Sequence, residues 1–172
     1  MRAVMEAAEK LRAVHARLCR EFGCPITYHH ALSPLDELVS SLLSHRTRNA
    51  DSRRAFGNLR ERFPDWAAVR DAPTAAVEDA VSPCTWPEAK APALQRTLRA
   101  ITEARGALDL DHLAGMETEA ARAWLLALPG VGPKTAAAVL SFSALRGRAL
   151  PVDSHHHRVA QRLGWGLICS IR

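Results

Sequence analysis

Lys134 and Asp153 are the two residues of this chain best suited to chemistry. Lys134 closes the run Leu128-Pro129-Gly130-Val131-Gly132-Pro133-Lys134-Thr135, and Asp153 follows nineteen residues after the lysine. A lysine amine is a nucleophile once it has lost its proton, and a nearby carboxylate can take that proton or offset positive charge. Pro133 has no N–H and a φ held at about −65°, which suits the first position of a helix. Lys134 then sits at the second position, where a cation faces the positive end of the helix dipole. Stability alone would place Asp or Glu there. Contact with a phosphate, or plain solvent exposure, are the alternatives for this lysine.

The elements that position the pair follow from the same stretch. Gly130 and Gly132 can take φ > 0 and let another molecule approach the bare chain. A helix is predicted over 118–128, with Ala120, Trp124, Leu125 and Leu128 on its apolar side. A second is predicted over 134–145, with Val139, Leu140 and Phe142. The unit is helix, glycine hairpin, helix, and its orphan amides and dipole end favour a phosphate. Arg146-Gly147-Arg148 ends the second helix, 149–152 runs extended, and Asp153 is a candidate N-cap for the next helix. A twelve-residue helix is about 18 Å long. The return of roughly eight residues can span up to about 26 Å, so Asp153 can come back beside Lys134. A plain helix cap is the other reading of Asp153, and the two roles are compatible.

The rest of the chain parses into short helices, and the class is all-α. Residues 2–22 carry Val4, Leu11, Val14, Leu18 and Phe22 at helical spacing, and Gly23 stops them. Ser33-Pro34-Leu35-Asp36 is a start signal, followed by the stripe Leu35, Leu38, Val39 and Leu42. Asn49 is expected to cap a helix holding Phe56, Leu59 and Phe63, ended by Pro64. Short helices are predicted over 65–70 and 74–81, a loop over 82–86, and a longer helix over 87–105 ended by Gly106.

Composition bounds the function. The chain has 172 residues, 48% of them hydrophobic, which is enough for one domain or one domain with a small appendage. No apolar run reaches the length of a membrane span and no signal-peptide core is present, so a cytoplasmic protein is expected, nucleoid-associated if bacterial. Cys19, Cys24, Cys84 and Cys169 lack metal-ligand spacing and read as ordinary thiols. The net charge of +5 is unevenly placed. Residues 44–62 hold six Arg against two acids, and 133–172 hold six Lys/Arg against Asp153 alone. Residues 63–132 hold ten acids and six bases. Two basic stretches that coincide with the candidate site suggest one face turned towards nucleic acid.

The residues 128–134, with Val152-Asp153-Ser154-His155-His156-His157-Arg158-Val159 after them, resemble the helix-hairpin-helix DNA glycosylases, most of all the endonuclease III branch. Glu37 to Ser44 resembles the helix leading into that family's DNA-probing loop, and the likeness covers roughly residues 35–164. The resemblance implies a two-part helical fold: a multi-helix barrel over 32–147 containing the hairpin unit at 118–145, and a second part in which 1–31 packs with 148–172. It also implies that Lys134 forms a Schiff base, that Asp153 is the essential aspartate, and that the enzyme is a glycosylase with AP-lyase activity. DNA contacts would fall on His45, Arg46, Gly130, Val131, Gly132, Thr135, His155 and Arg158. The partner would be duplex DNA carrying damaged bases or abasic sites, with a monomeric protein and no cofactor or metal.

The chain departs from the family at three places. Arg46 stands where the probing loop usually carries glutamine. Its five donors suit the O6 and N7 acceptors of guanine, which predicts lesions opposite guanine, as for damaged cytosines or similar pyrimidines; a backbone contact is the alternative. The four closely spaced cysteines of an iron–sulfur cluster are missing, and the run Gly164 to Arg172 reads as a shortened end that exposes Leu11, Val14 and Leu18. A non-catalytic hairpin protein and an inactive remnant are the competing readings. His155, His156 and His157 point in different directions on a helix and are read as non-metal residues. Trp86 and Trp165 are expected in the core, and His29 and His30 have no identifiable partner.

Overall fold

The computed structural model describes residues 2–24 and 32–165. His29, His30, Cys169 and residues 166–172 lie outside them, as does the side chain of Val4. The described residues form nine α-helices and one 3-10 turn, with no strand, and no helix among them is long and apolar enough to cross a membrane. The chain divides into two compact units, residues 31–152 and residues 1–30 with 153–172.

The larger unit begins with α2 (Pro34–Ser44). Ser33 caps it, its hydroxyl accepting from the Asp36 N–H at 3.1 Å, and Pro34 occupies the first turn where no N–H is needed. Leu35, Leu38, Val39 and Leu43 are buried along one face. Burying such side chains contributes about 1.5–3 kcal/mol each. α3 (Asn49–Arg62) follows. Asn49 is its first helical residue; the N-cap is Arg48, in an extended conformation and with no side-chain cap. The expected asparagine cap is thus not made.

α4 (Trp66–Asp71) is capped by Asp65, which accepts from Ala68 N–H at 2.7 Å, and α5 is Thr74–Ala80. α6 (Pro87–Arg105) ends on Gly106 at φ 72°, a left-handed stop that glycine takes without strain. A 3-10 turn over Asp111–Gly115, which the sequence did not announce, leads to α7 (Thr118–Leu126) and α8 (Pro133–Phe142).

α8 ends three residues before the predicted 145. Ser143 leaves the helix in an extended conformation, and the Gly147 N–H returns to the Leu140 carbonyl at 2.7 Å. A Cβ at Gly147 would lie 3.1 Å from that carbonyl oxygen, a tight approach that glycine avoids. α2 packs mainly on α8 and α3, α5 and α4 on α6, and α7 on α8. The fully buried Ala136 and the nearly buried Ala137 and Ala138 give α8 a low surface, on which a neighbouring helix can lie close.

The smaller unit contains α1 (Arg2–Phe22) and α9 (Ser154–Arg162). Asp153 caps α9, accepting from the His156 N–H at 2.7 Å. The Lys10 ammonium donates to the Leu163 carbonyl, tying the two helices. Leu11, Leu18 and Phe22 are exposed and Val14 is half-buried.

The cysteines depart from the expectation of plain thiols. Gly23, at φ 82°, turns the chain at the end of α1 and places the Cα of Cys24 4.9 Å from that of Cys19, and the two sulfurs are bonded. Five residues of separation look too far for a pair on a straight helix; the left-handed turn closes the gap. Cys84 is free and buried.

Candidate DNA-lesion site

The α7–α8 connection is the hairpin read from the sequence. Leu125, Leu128 and Val131 are buried and anchor it from within. The Val131 N–H donates to the Leu128 carbonyl at 3.2 Å, and the Thr97 hydroxyl on α6 donates to the Pro129 carbonyl at 2.8 Å. Gly130 takes φ 80°. Gly132 does not use the left-handed freedom open to it: at φ −96° and ψ 176° it is the extended N-cap of α8. A Cβ there would meet nothing within 4 Å, so neither backbone strain nor packing inside the protein calls for glycine. The first helical bond of α8 runs from Ala136 N–H to the Gly132 carbonyl, leaving the Lys134 and Thr135 amides ahead of the ladder.

Lys134 is exposed, at the second position of α8, and lines a cleft of about 510 Å³. Gly130 and Thr97 form the cleft wall on the hairpin side, Leu42 to Arg46 the end of α2, and Trp86 to Leu94 the start of α6. All belong to the larger unit. The second lysine of the cleft, Lys90, was not singled out in the sequence. Its ammonium donates to the carbonyls of Leu43 at 2.9 Å, His45 at 2.8 Å and Leu42 at 3.3 Å. It thereby satisfies the orphan carbonyls at the C-terminus of α2 and complements the negative end of that helix. Partial burial holds its pKa below the usual lysine value. Among the described residues Lys134 has no hydrogen-bond or ion-pair partner, so one ammonium is consumed by structure and the other is available.

His45, the residue ending α2, joins the two halves of the cleft. Its Nε2 lies 3.0 Å from the Thr135 hydroxyl. Desolvation of the ring, then the charges of Lys90 and Lys134, push its pKa down. Thr135 was expected at the DNA surface, yet its side chain is buried and is engaged by His45. Val131 is likewise buried by its side chain, leaving its backbone as the part a ligand could touch.

Arg46 and Trp86 both take left-handed conformations, φ 51° and 56°, which cost non-glycine residues about 1–3 kcal/mol each. The Arg46 guanidinium lies 5.8 Å from the centre of the Trp86 ring. Trp86 is 51% exposed at the cleft rim, against the expectation of a core residue. Sequence reasoning could have found it: Trp86 stands in a turn directly before Pro87, with no helical stripe to bury it.

Asp153 is half-buried and belongs to the smaller unit, as do His155 and Arg158. The Arg158 guanidinium and the His155 Nδ1 lie 2.8 Å apart on the exposed first turns of α9.

The match to known proteins bears on this geometry. The family model for the helix-hairpin-helix motif covers residues 115–142. An Arabidopsis thaliana protein named as a DNA glycosylase is 38% identical over 133 residues, 77% of this chain and 45% of its own length. Endonuclease III of Thermotoga maritima is 32% identical over 137 residues, 80% of this chain and 60% of its own length. Over these spans the chain is similar in sequence to proteins named as a DNA glycosylase and an endonuclease III. A solved structure of a trapped covalent endonuclease III–DNA intermediate superimposes with a TM-score of 0.71 at 25% identity, over 91% of this chain and 69% of that one. The endonuclease III-like fold with its helix-hairpin-helix motif is therefore the fold of this protein. The chain spans about half the length of the curated relatives it matches.

Iron–sulfur ligation in such folds takes four cysteine thiolates. Among the described residues, Cys19 and Cys24 are bonded to each other and Cys84 is a buried free thiol, so these three offer no set of thiolates for a cluster.

Proposed function

We propose that this protein is a base-excision DNA glycosylase with AP-lyase activity, acting as a monomer on duplex DNA that carries damaged bases or abasic sites. The observation that carries the reading is Lys134: an exposed amine without a structural partner among the described residues, at the start of the hairpin helix and on the wall of a cleft. The hairpin amides and the dipole of α8 would hold a backbone phosphate beside it. A base turned out of the duplex would then enter the cleft. The trapped covalent endonuclease III–DNA intermediate, a relative of the same fold, supports a covalent step.

In the proposed reaction the unprotonated Lys134 amine attacks C1′ of the sugar, the C1′–N bond breaks, and the base leaves with a proton. The C1′–O4′ bond then breaks, O4′ takes up a proton, and the nitrogen keeps its remaining proton in a protonated Schiff base that acidifies C2′. Loss of a C2′ proton then breaks the C3′–O bond and cuts the strand. Asp153 is proposed as the carboxylate that receives the lysine proton and offsets the positive charge on the sugar. Its capping bond to the His156 N–H would fix the direction of that carboxylate. Arg46 and Trp86 are proposed to meet the duplex at the rim.

A panel of lesion-containing duplexes tests this by two readouts on one sample, free base released and strand nicked without alkali. Both should appear together on at least one lesion and both should fall by about a hundredfold or more with Asp153→Asn. Tight binding to every duplex with neither readout would identify a non-catalytic hairpin protein instead.

A further inference from the structure

Away from the cleft, the end of α1 gathers three side chains whose chemistry the proposed repair reaction does not use. His15 and Cys19 are four residues apart on one helix face, and the Cys19 sulfur lies 3.5 Å from His15 Nε2 and 3.7 Å from Nδ1. Gly23, turned left-handed with its N–H on the Cys19 carbonyl at 3.0 Å, returns Cys24 to the same spot. The donor atoms of His15, Cys19 and Cys24 all lie within 4.8 Å of one another. His15 and Cys24 are exposed and Cys19 is half-buried, so a solute ion can reach them.

A disulfide alone has no use for an imidazole at its side. Two thiolates and one imidazole nitrogen are instead the donor set that zinc takes in open, three-ligand sites. With metal–sulfur bonds of about 2.3 Å and metal–nitrogen bonds of about 2.0 Å, tetrahedral ligation sets nitrogen and sulfur about 3.5 Å apart. The His15–Cys19 contact already has that spacing.

We propose that, when reduced, His15, Cys19 and Cys24 bind one Zn²⁺ through two thiolates and one imidazole nitrogen, with water in the fourth position. The disulfide is the metal-free, oxidised form of the same site. An external dithiol gives two electrons and two protons to the Cys19–Cys24 bond, yielding two thiols, and itself becomes a disulfide. Zn²⁺ then displaces the two thiol protons. Opening the bond needs only a small local shift, because Cys24 lies in the turn beyond the helix and not in its ladder.

Co²⁺ titration of the full chain, reduced by a phosphine and kept anaerobic, tests the site. One equivalent should give thiolate-to-cobalt charge-transfer absorption with the intense visible bands of tetrahedral Co²⁺, and Zn²⁺ should bleach both. The disulfide form should give neither. His15→Asn should weaken Co²⁺ by about tenfold or more, and Cys19→Ser or Cys24→Ser should abolish the charge-transfer band. Cys84→Ala should leave the spectrum unchanged, and far-UV circular dichroism should match in all variants. No charge-transfer band in the reduced protein overturns the proposal. So does a band of full strength in Cys19→Ser and Cys24→Ser, or undiminished affinity in His15→Asn.

Discussion

Arg46 and Lys134 share the cleft and differ in what holds them. Lys134 stands without a partner among the described residues, whereas Arg46 lies against the Trp86 ring in a strained backbone conformation. A side chain held in this way at a rim is suited to reading an unpaired base, since its guanidinium keeps one plane and five donors. Arg46→Gln should reduce cleavage opposite guanine by about tenfold relative to the other three bases, the worth of one bidentate contact. Cleavage measured opposite each base checks this, and an equal loss opposite all four would make Arg46 a phosphate contact. The stacking on Trp86 was not legible in the sequence, because it depends on two residues forty positions apart. Lys134 was legible because the glycines and Pro133 announce both the turn and the start of the helix.

At the scale of the elements, caps and apolar stripes made most of the fold legible. Ser33, Asp65 and Asp153 each accept from an N–H three residues on, and α6 runs from Pro87 to Arg105 as its end signals require. The burial of Thr135 goes with its contact to His45 ninety residues away, which periodicity does not record, and nothing in the structure explains why α3 starts one residue earlier than an Asn49 cap would allow. The Gly132 N-cap gives a sharp separation between folding and binding. An aspartate at this position would suit the extended backbone, its Cβ would meet nothing within 4 Å, and its charge would favour the helix dipole. Gly132→Asp should therefore melt no lower than the parent while losing about tenfold or more in affinity for every duplex alike. Unchanged affinity in a titration of labelled duplex would show that the hairpin is not the anchor.

Gln95 is the other element-scale device. It is buried on α6, its amide donates to the carbonyls of Val69 at 3.0 Å and Ala72 at 2.8 Å, and its carbonyl accepts from the Thr74 hydroxyl at 2.8 Å. One side chain thus closes the end of α4 and the start of α5 onto α6. Gln95→Leu leaves those groups unsatisfied and should destabilise by about 1–3 kcal/mol in urea unfolding. A loss below the error of the measurement would contradict this role.

For the whole molecule, the all-α class was readable from composition, while two histidines set an acid limit that was not. Both ring nitrogens of His112 are buried without a hydrogen-bond partner among the described residues, and its ring stands edge-on to Trp124 at 4.7 Å. Desolvation, then Arg105, holds its pKa below the usual 6.5, as desolvation does for His45. The unfolded chain therefore takes up these protons at a higher pH than the folded one. The contribution of these two groups to stability is complete above about pH 6.5 and falls as the pH drops towards the folded values. His112→Phe, which keeps a ring against Trp124, should make the decline in melting temperature between pH 7 and 5 shallower. An identical decline would mean that His112 is not the group titrating.

The proposed reaction stands on one bond, between the Lys134 amine and DNA. Borohydride added during reaction with a lesion-containing duplex reduces a Schiff base to a stable amine, and digestion followed by mass spectrometry locates the attachment. The expected result is a trapped complex whose modified peptide carries the sugar on Lys134, and no trapping by Lys134→Gln although its affinity for DNA stays within a few-fold of the parent. Trapping of undiminished yield in Lys134→Gln, or attachment at Lys90, would contradict it.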